Sequence, residues 1–236
     1  MKIQAEKFRD FLIKTSLNGK ILTMVLNFKE DAVKVAVTTT NVAFVSGVLK
    51  KTAFQEYEAI GEVGIKNCAV FSSLLKRYGN KLIELKIEEN KLSIVSETGS
   101  TFFVLCDKDM VENHAEEGVM DVAEAKMDGG FEILVDKLVS IKQAADIIKA
   151  TNIIFKVKDK KLFLNVESEG GDKITETLDV DYKDVKSKYG ALLHDIIVVA
   201  SGKVIVSLND DFPIRIKETT EDYILKYILA PLVGEK

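Results

Sequence analysis

Apolar residues in this chain fall into short alternating runs, interrupted by four windows in which they recur every three or four positions. Alternation marks half-buried strands and the longer period marks amphipathic helices. Residues 1–5 read as a strand and 6–17 as a helix, with Phe8, Phe11, Leu12 and Thr15 on one face. Strands follow at 21–28, 33–38, 42–49 and 63–66. A second helix over 68–78 aligns Phe71, Leu74, Leu75 and Tyr78, and Gly79-Asn80 stops it. Strands at 82–87, 92–96 and 101–106 close this series, with turn residues at 88–91 and 97–100.

The same order then recurs, which carries more weight than any single element. A strand at 131–135 leads into a helix at 137–149, with Leu138, Ile141, Ala145 and Ile148 aligned. Strands at 153–157, 162–166 and 174–180 follow, and residues 185–189 precede a helix at 191–201 built on Leu193, Ile196, Ile197 and Ala200. Strands at 204–208, 214–218 and 223–229 end the second series. The pattern predicts an α+β protein of two repeated domains, 1–107 and 131–236, joined by a connector at 108–130.

Charge divides along the same lines. The chain carries a formal net charge of -4, which argues against a nucleic-acid partner if charge is read only as a sum. Residues 107–130 hold eight acidic residues against Lys108 and Lys126, the composition of a surface connector. The four helical windows and their flanks, 6–20, 68–81, 137–149 and 191–203, hold eleven basic residues against four acidic ones. An acidic chain with basic helices has a sided surface, suited to surrounding an anion while remaining soluble.

Other chemistry is sparse. At 236 residues, 47% hydrophobic and 30% charged, the chain has room for one large core or two smaller ones. No apolar run is long enough to span a bilayer, and the first residues lack the apolar centre of a signal peptide, so a cytosolic protein is expected. Cys68 and Cys106 make no disulfide framework, and His114 and His194 stand in no metal-ligand spacing, so neither metal nor cofactor is expected. Cys68 opens a helix, where a thiol can be activated, but a small buried hydrophobe is the favoured reading. No Walker loop, Gly-x-Ser-x-Gly or Gly-x-Gly-x-x-Gly motif is present.

The last fifth of the chain is more specific. Lys186-Ser187-Lys188-Tyr189-Gly190, then a helix and a strand, then Asp211-Phe212-Pro213-Ile214-Arg215-Ile216, and finally Leu225-Lys226-Tyr227-Ile228-Leu229-Ala230-Pro231 resemble the end of the proliferating cell nuclear antigen family. The resemblance in organisation extends over the whole chain. It implies two clamp domains, each with two helices on curved antiparallel sheets, and a six-domain ring closed by three copies. The implied function is that of a non-enzymatic processivity factor that encircles duplex DNA and tethers polymerase, clamp loader, nuclease and ligase through short peptides.

By the same resemblance, Lys7, Arg9, Lys14, Lys20, Lys76, Arg77, Lys81, Lys142, Lys149 and Lys203 are the candidates for facing DNA, although without the resemblance solvated helix faces are the favoured reading of such cations. Lys14, Lys76, Arg77 and Lys149 are expected to be exposed. His114 is expected in an exposed loop and His194 on a helix surface. Thr38, Val111, Val119, Met120, Pro213, Ile228, Ala230 and Pro231 are the implied partner-peptide residues. Strand 101–106, through Thr101, Phe103 and Leu105, is expected to pair with strand 174–178 of a neighbour, through Ile174, Glu176 and Leu178, sealing exposed edges. Two features depart from the family: the loop 38–41 is short and lacks a bulky residue, and the fourth helix carries Val198 and Val199 where lysine would be usual. A checkpoint-type or heterotrimeric clamp subunit, or a small enzyme without a recognisable motif, are the rival readings.

Overall fold

The structure, a computed structural model, describes residues 1–39, 42–112, 114, 115, 127 and 129–232. The chain forms two compact units, Met1–Glu117 with Thr219–Leu225, and Gly118–Glu218 with Lys226–Lys236.

In the first unit β1 (Lys2–Gln4) leads directly into α1 (Ala5–Thr15), followed by β2 (Met24–Phe28), β3 (Ala32–Thr39), β4 (Ala43–Lys50), β5 (Phe54–Glu56) and β6 (Gly61–Ile65). Then come α2 (Cys68–Lys76), β7 (Leu82–Glu88), β8 (Lys91–Ser96) and β9 (Gly99–Val104). One sheet has the order β5-β1-β7-β8-β9; the other runs β4-β3-β2-β6. Alternation buries one face of these strands, as in β4, where Ala43, Val45, Gly47 and Leu49 point inward. The helices cover that face. Phe8 of α1 meets Phe71 of α2 edge to face at 5.9 Å, and Phe71 stacks on Phe103 of β9 at 4.9 Å.

The second unit contains β10 (Phe131–Leu134), α3 (Val135–Ile148), β11 (Ile153–Lys158), β12 (Lys161–Glu167), β13 (Lys173–Asp179) and β14 (Val185–Tyr189). It continues with α4 (Leu192–Val199), β15 (Lys203–Ser207), β16 (Ile214–Thr219) and β17 (Tyr223–Leu229), of which Thr219 and the first three residues of β17 belong to the first unit. Its sheets run β10-β15-β16-β17 and β13-β12-β11-β14. Substituting β10, β15, β16 and β17 for β1, β7, β8 and β9, and β13, β12, β11 and β14 for β4, β3, β2 and β6, reproduces the strand orders of the first unit apart from β5, which has no counterpart.

The repeat extends to a detail of capping. Neither α1 nor α3 has a side-chain N-cap. The Ala5 N–H instead donates to the Lys81 carbonyl at 3.0 Å, and the Val135 N–H to the Gly202 carbonyl at 2.9 Å. In both units the turn after the second helix satisfies the first amide of the first helix, an otherwise orphaned donor. By contrast α2 uses Asn67, whose side chain accepts from the Val70 N–H at 3.0 Å.

Several boundaries differ from the sequence reading. The first helix ends at Thr15, not residue 17, because Leu17 and Asn18 take positive φ angles of 48° and 57°. The fourth helix is shorter than expected, and Ala200 becomes its extended cap residue. Strand β5 carries no alternation signal and was not expected. The edge strand expected at 101–106 lies instead at Gly99–Val104: Leu105 donates its N–H to Asn90 and Cys106 pairs singly with Gly64. No helix among the described residues is long and apolar enough to cross a membrane.

Candidate nucleic-acid and assembly surfaces

The expected DNA-facing cations occupy different environments. Lys76, Arg77 and Lys81 are exposed at and just beyond the C-terminal end of α2, and the Lys81 ammonium donates to the Thr98 hydroxyl at 3.3 Å. Lys149 is exposed at the end of α3, where its φ of 57° terminates the helix. Lys20 is exposed after α1. Other cations are held by carboxylates: Lys7 by Asp222 at 2.8 Å, Lys142 by Asp146 at 2.6 Å and Lys203 by Glu132 at 2.9 Å. Such partly exposed pairs are weak and exchangeable. Arg9 is half-buried, with Nε lacking a hydrogen-bond partner among the described residues.

Lys14 corrects the sequence expectation. It is only 3% exposed. Its ammonium lies 5.4 Å from the centre of the Tyr223 ring and 4.0 Å from the Asp10 carboxylate, which accepts from the Tyr223 hydroxyl at 2.9 Å. This side chain joins α1 to the segment Thr219–Leu225 of the same unit and is not available to a ligand.

The histidines add no positive charge on the helices. His194 on α4 is half-buried, and desolvation followed by the nearby Lys142 ammonium lowers its pKa, so its ring is neutral at pH 7. His114 is exposed in a single bridge with Val37. Cys68 is fully buried and its thiol is pushed up to about 12 by desolvation, the state of a packed hydrophobe and not of a nucleophile.

Both strands expected at a subunit seam are sheet edges. β9 ends the sheet of the first unit and β13 ends that of the second. Phe102 and Val104 on β9 are 66% and 37% exposed. Thr101 is half-buried, whereas Phe103 is 4% exposed and stacked in the core, so only its backbone is at the edge; Leu105 lies beyond the strand. This corrects the assignment of the Phe103 and Leu105 side chains to the seam. On β13 no residue is fully buried; Ile174, Glu176 and Leu178 are half-buried on the helix side, where the Ser140 hydroxyl of α3 donates to Glu176 at 2.5 Å.

The expected peptide-binding residues divide similarly. Thr38 is half-buried, its hydroxyl donating to the Ala43 carbonyl at 3.2 Å. Val111 is 7% exposed beneath the turn that follows Asp107, and Ile228 is 3% exposed although it lies on the face of β17 opposite Tyr227 and Leu229, so neither offers side-chain surface within its unit. Pro213, Ala230 and Pro231 are half-exposed. The adjacent Leu232 is 44% exposed, packs over Gly190 and donates its N–H to the Lys188 carbonyl at 2.8 Å. Val119 and Met120 lie outside the described residues.

No protein-family model matches this sequence, and no curated protein matches it. Solved structures do match over essentially its whole length. It is similar to the A. fulgidus PCNA described with the bound C-terminal region of FEN-1, with a TM-score of 0.85 at 17% identity, covering 100% of this chain and 98% of that one. It is also similar to the Proliferating Cellular Nuclear Antigen of Entamoeba histolytica, with a TM-score of 0.83 at 18% identity and 98% of each chain covered. A third match, the PCNA2–PCNA3 complex of Sulfolobus tokodaii, gives a TM-score of 0.77 at 20% identity, again over 98% of each chain. The fold is therefore that of the two-domain sliding clamps. More particularly, it is the fold of proliferating cell nuclear antigen.

Proposed function

We propose that this chain is a subunit of a ring that encloses duplex DNA and tethers replication and repair proteins to it, acting as a scaffold and not as an enzyme. The observation that carries the reading is an asymmetry between the two repeats. In the first unit, residues 223–225 of β17 run beside β4. The repeat equivalents of those two strands are β9 and β13, and each is a sheet edge among the described residues. Joining β9 of one copy to β13 of the next repeats an arrangement the chain already contains and removes two exposed edges per copy. A heterologous contact of this kind generates a closed ring if its rotation closes; three copies fit the clamp fold.

The helix cations supply the attraction to DNA in this reading. Lys20, Lys76, Arg77, Lys81 and Lys149 present exposed charge, while Lys7, Lys142 and Lys203 exchange a weak carboxylate partner for phosphate. Phosphate contacts hold a duplex without reading its sequence, as sliding requires. We assign partner peptides to the half-exposed C-terminal surface of the second unit, formed by Pro213, Ala230, Pro231 and Leu232. The A. fulgidus protein described with the bound C-terminal region of FEN-1 supports partner binding by this fold. A ring on DNA acts in a nucleoid or nucleus.

Sedimentation equilibrium tests the assembly. The wild-type chain is expected at three times 26.2 kDa. Ile174→Pro, which disturbs the β13 edge, and Phe102→Asp, which places charge on the β9 edge, are each expected to give the single-chain mass with an unchanged far-ultraviolet spectrum. Trimers from both variants overturn the β9–β13 seam, and a monomeric wild-type chain overturns the homotrimer in favour of a ring with a second, different clamp subunit.

A further inference from the structure

The sheet β13-β12-β11-β14 has a second face, opposite the one that packs on helices, and its charge is out of keeping with the rest of the chain. Ile153, Phe155, Val157, Leu162, Leu164 and Val166 are buried on the helix side. The alternate positions point outward. The registers place Lys186 beside Lys156 and Lys156 beside Phe163 in one row, Lys188 beside Ile154 and Ile154 beside Asn165 in the next, with Lys158 opposite Lys161 at one end and Glu167 opposite Lys173 at the other. The outward positions hold six lysines against Glu167 and Asp179, a surplus of four positive charges in a chain whose net charge is -4. None of these six lysines is ion-paired among the described residues. The cost of assembling like charges on one sheet, where directly opposed pairs repel, is met by no internal partner.

Within this field lies a hollow of about 330 Å³ lined by Ile154, Lys156, Lys158, Phe163, Asn165, Glu167, Lys173 and Lys186. Phe163 is half-exposed in it, although inward positions for an aromatic ring lie on either side along β12. The Asn165 side-chain oxygen accepts from the Thr175 hydroxyl at 2.7 Å and its amide nitrogen donates to the Phe163 backbone carbonyl at 3.5 Å, which fixes the amide beside the ring. A ring on an open sheet face, flanked by cations one strand away and two residues along, is a stacking platform with an electrostatic groove. Lysines two residues apart on a strand are roughly 6.5 to 7 Å apart, comparable with successive phosphates of an extended nucleic-acid strand.

The geometry points to a binding site for single-stranded nucleic acid on this outer sheet face, with one base on Phe163 and the backbone along Lys156, Lys158, Lys186 and Lys188. Duplex DNA does not suit the site, since its bases are already stacked and cannot take the ring. An acidic peptide satisfies the lysines but gives Phe163 no role. The site is distinct from the helices assigned to duplex DNA and does not depend on ring closure.

The test is a fluorescence-anisotropy titration of the full chain with a labelled oligothymidylate over a salt series. The wild-type protein is expected to bind with strong salt dependence. Lys156→Gln with Lys186→Gln is expected to flatten the slope of log K against log salt by about 1.4, at about 0.7 per lost single-strand contact. Phe163→Ala is expected to weaken binding roughly fivefold or more while leaving that slope unchanged, the signature of lost stacking; Phe163→Tyr, which keeps the ring, restores it. Substituting Lys51 and Lys66 by Ala, exposed lysines of the first unit, is expected to leave this titration unaltered. Wild-type binding by the Lys156/Lys186 and Phe163 variants overturns the site, as does loss of binding in the Lys51/Lys66 variant. Displacement by polyglutamate as effective as displacement by unlabelled oligothymidylate overturns it in favour of an acidic-peptide surface.

Discussion

Lys14 and Lys76 carry the same charge on two helices of one unit, yet their surroundings assign them opposite tasks. Lys76 follows the last apolar residues of α2 and stands in solvent. Lys14 lies at the border of the apolar stripe of α1, between Phe11 and Thr15, and is covered by Tyr223, which comes from the far end of the chain. Helical spacing places Lys14 near the edge of a face but carries no record of a ring arriving from a distant strand, so its burial was not legible in the sequence. Lys14→Ala removes the buried stem and leaves Asp10 without that cation, and is expected to destabilise the first unit by about 1 to 3 kcal/mol. Lys76→Ala and Arg77→Ala are each expected to stay within about 0.5 kcal/mol of wild type. Urea unfolding of the three variants checks the contrast; equal midpoints would return Lys14 to the surface.

At the scale of elements, most of the fold was legible because its elements obey simple periods. All four helices were found from their three-to-four spacing, and nearly every strand from alternation. The misses have local causes. β5 has only three residues and no repeated inward position. The two-residue connections at Glu89-Asn90 and Asp159-Lys160 place residues other than glycine at left-handed φ angles, with Glu89 at 50°, Asp159 at 51° and Lys160 at 58°, and the turn at 88–91 was legible from its polar residues without a Gly signal. The caps of α1 and α3 come from carbonyls remote in sequence, which no N-cap motif announces.

Gly47 shows how one residue sets the distance between elements. It occupies an inward position of β4, where α1 crosses the strand. A Cβ there would stand 2.7 Å from the Thr15 methyl and 2.8 Å from the Phe11 ring, closer than packed carbon atoms approach. Glycine is needed here for space, not for backbone freedom. Gly47→Val is expected to push α1 off the sheet and cost about 1 to 3 kcal/mol, as overpacking does. Calorimetric unfolding checks it, and a Tm equal to wild type would mean that α1 already has room.

For the whole molecule, charge reads correctly only after it is placed. The net charge of -4 suggests no affinity for DNA, whereas cations stand exposed on helices of each unit and six lysines gather on the outer sheet face of the second. The helix field was visible as an excess of Lys and Arg within periodic windows. The outer sheet field was not, because its lysines come from four strands and converge only through antiparallel register. The peptide surface was legible in part: the C-terminal motif indicated Ala230 and Pro231, but the packing of Leu232 on Gly190 depends on a turn that sequence does not reveal.

The helix field provides the last prediction. If Lys76, Arg77 and Lys149 contact phosphates of an enclosed duplex, replacing all three with Ala should lower the slope of log K against log salt by up to about 2.7, at about 0.9 per contact for duplex DNA. Lys14→Ala should change that slope by nothing, since its ammonium faces Tyr223 and Asp10. Lys7→Ala should change it by less than one full contact, because Lys7 must first leave Asp222. Retention on nicked circular DNA across a salt series measures all three variants in one assay. The circle keeps a closed ring from leaving over an end, so the salt dependence reports phosphate contacts. A triple variant with the wild-type slope would assign those cations to solvent, and a reduced slope for Lys14→Ala would show that the buried side chain reaches the DNA.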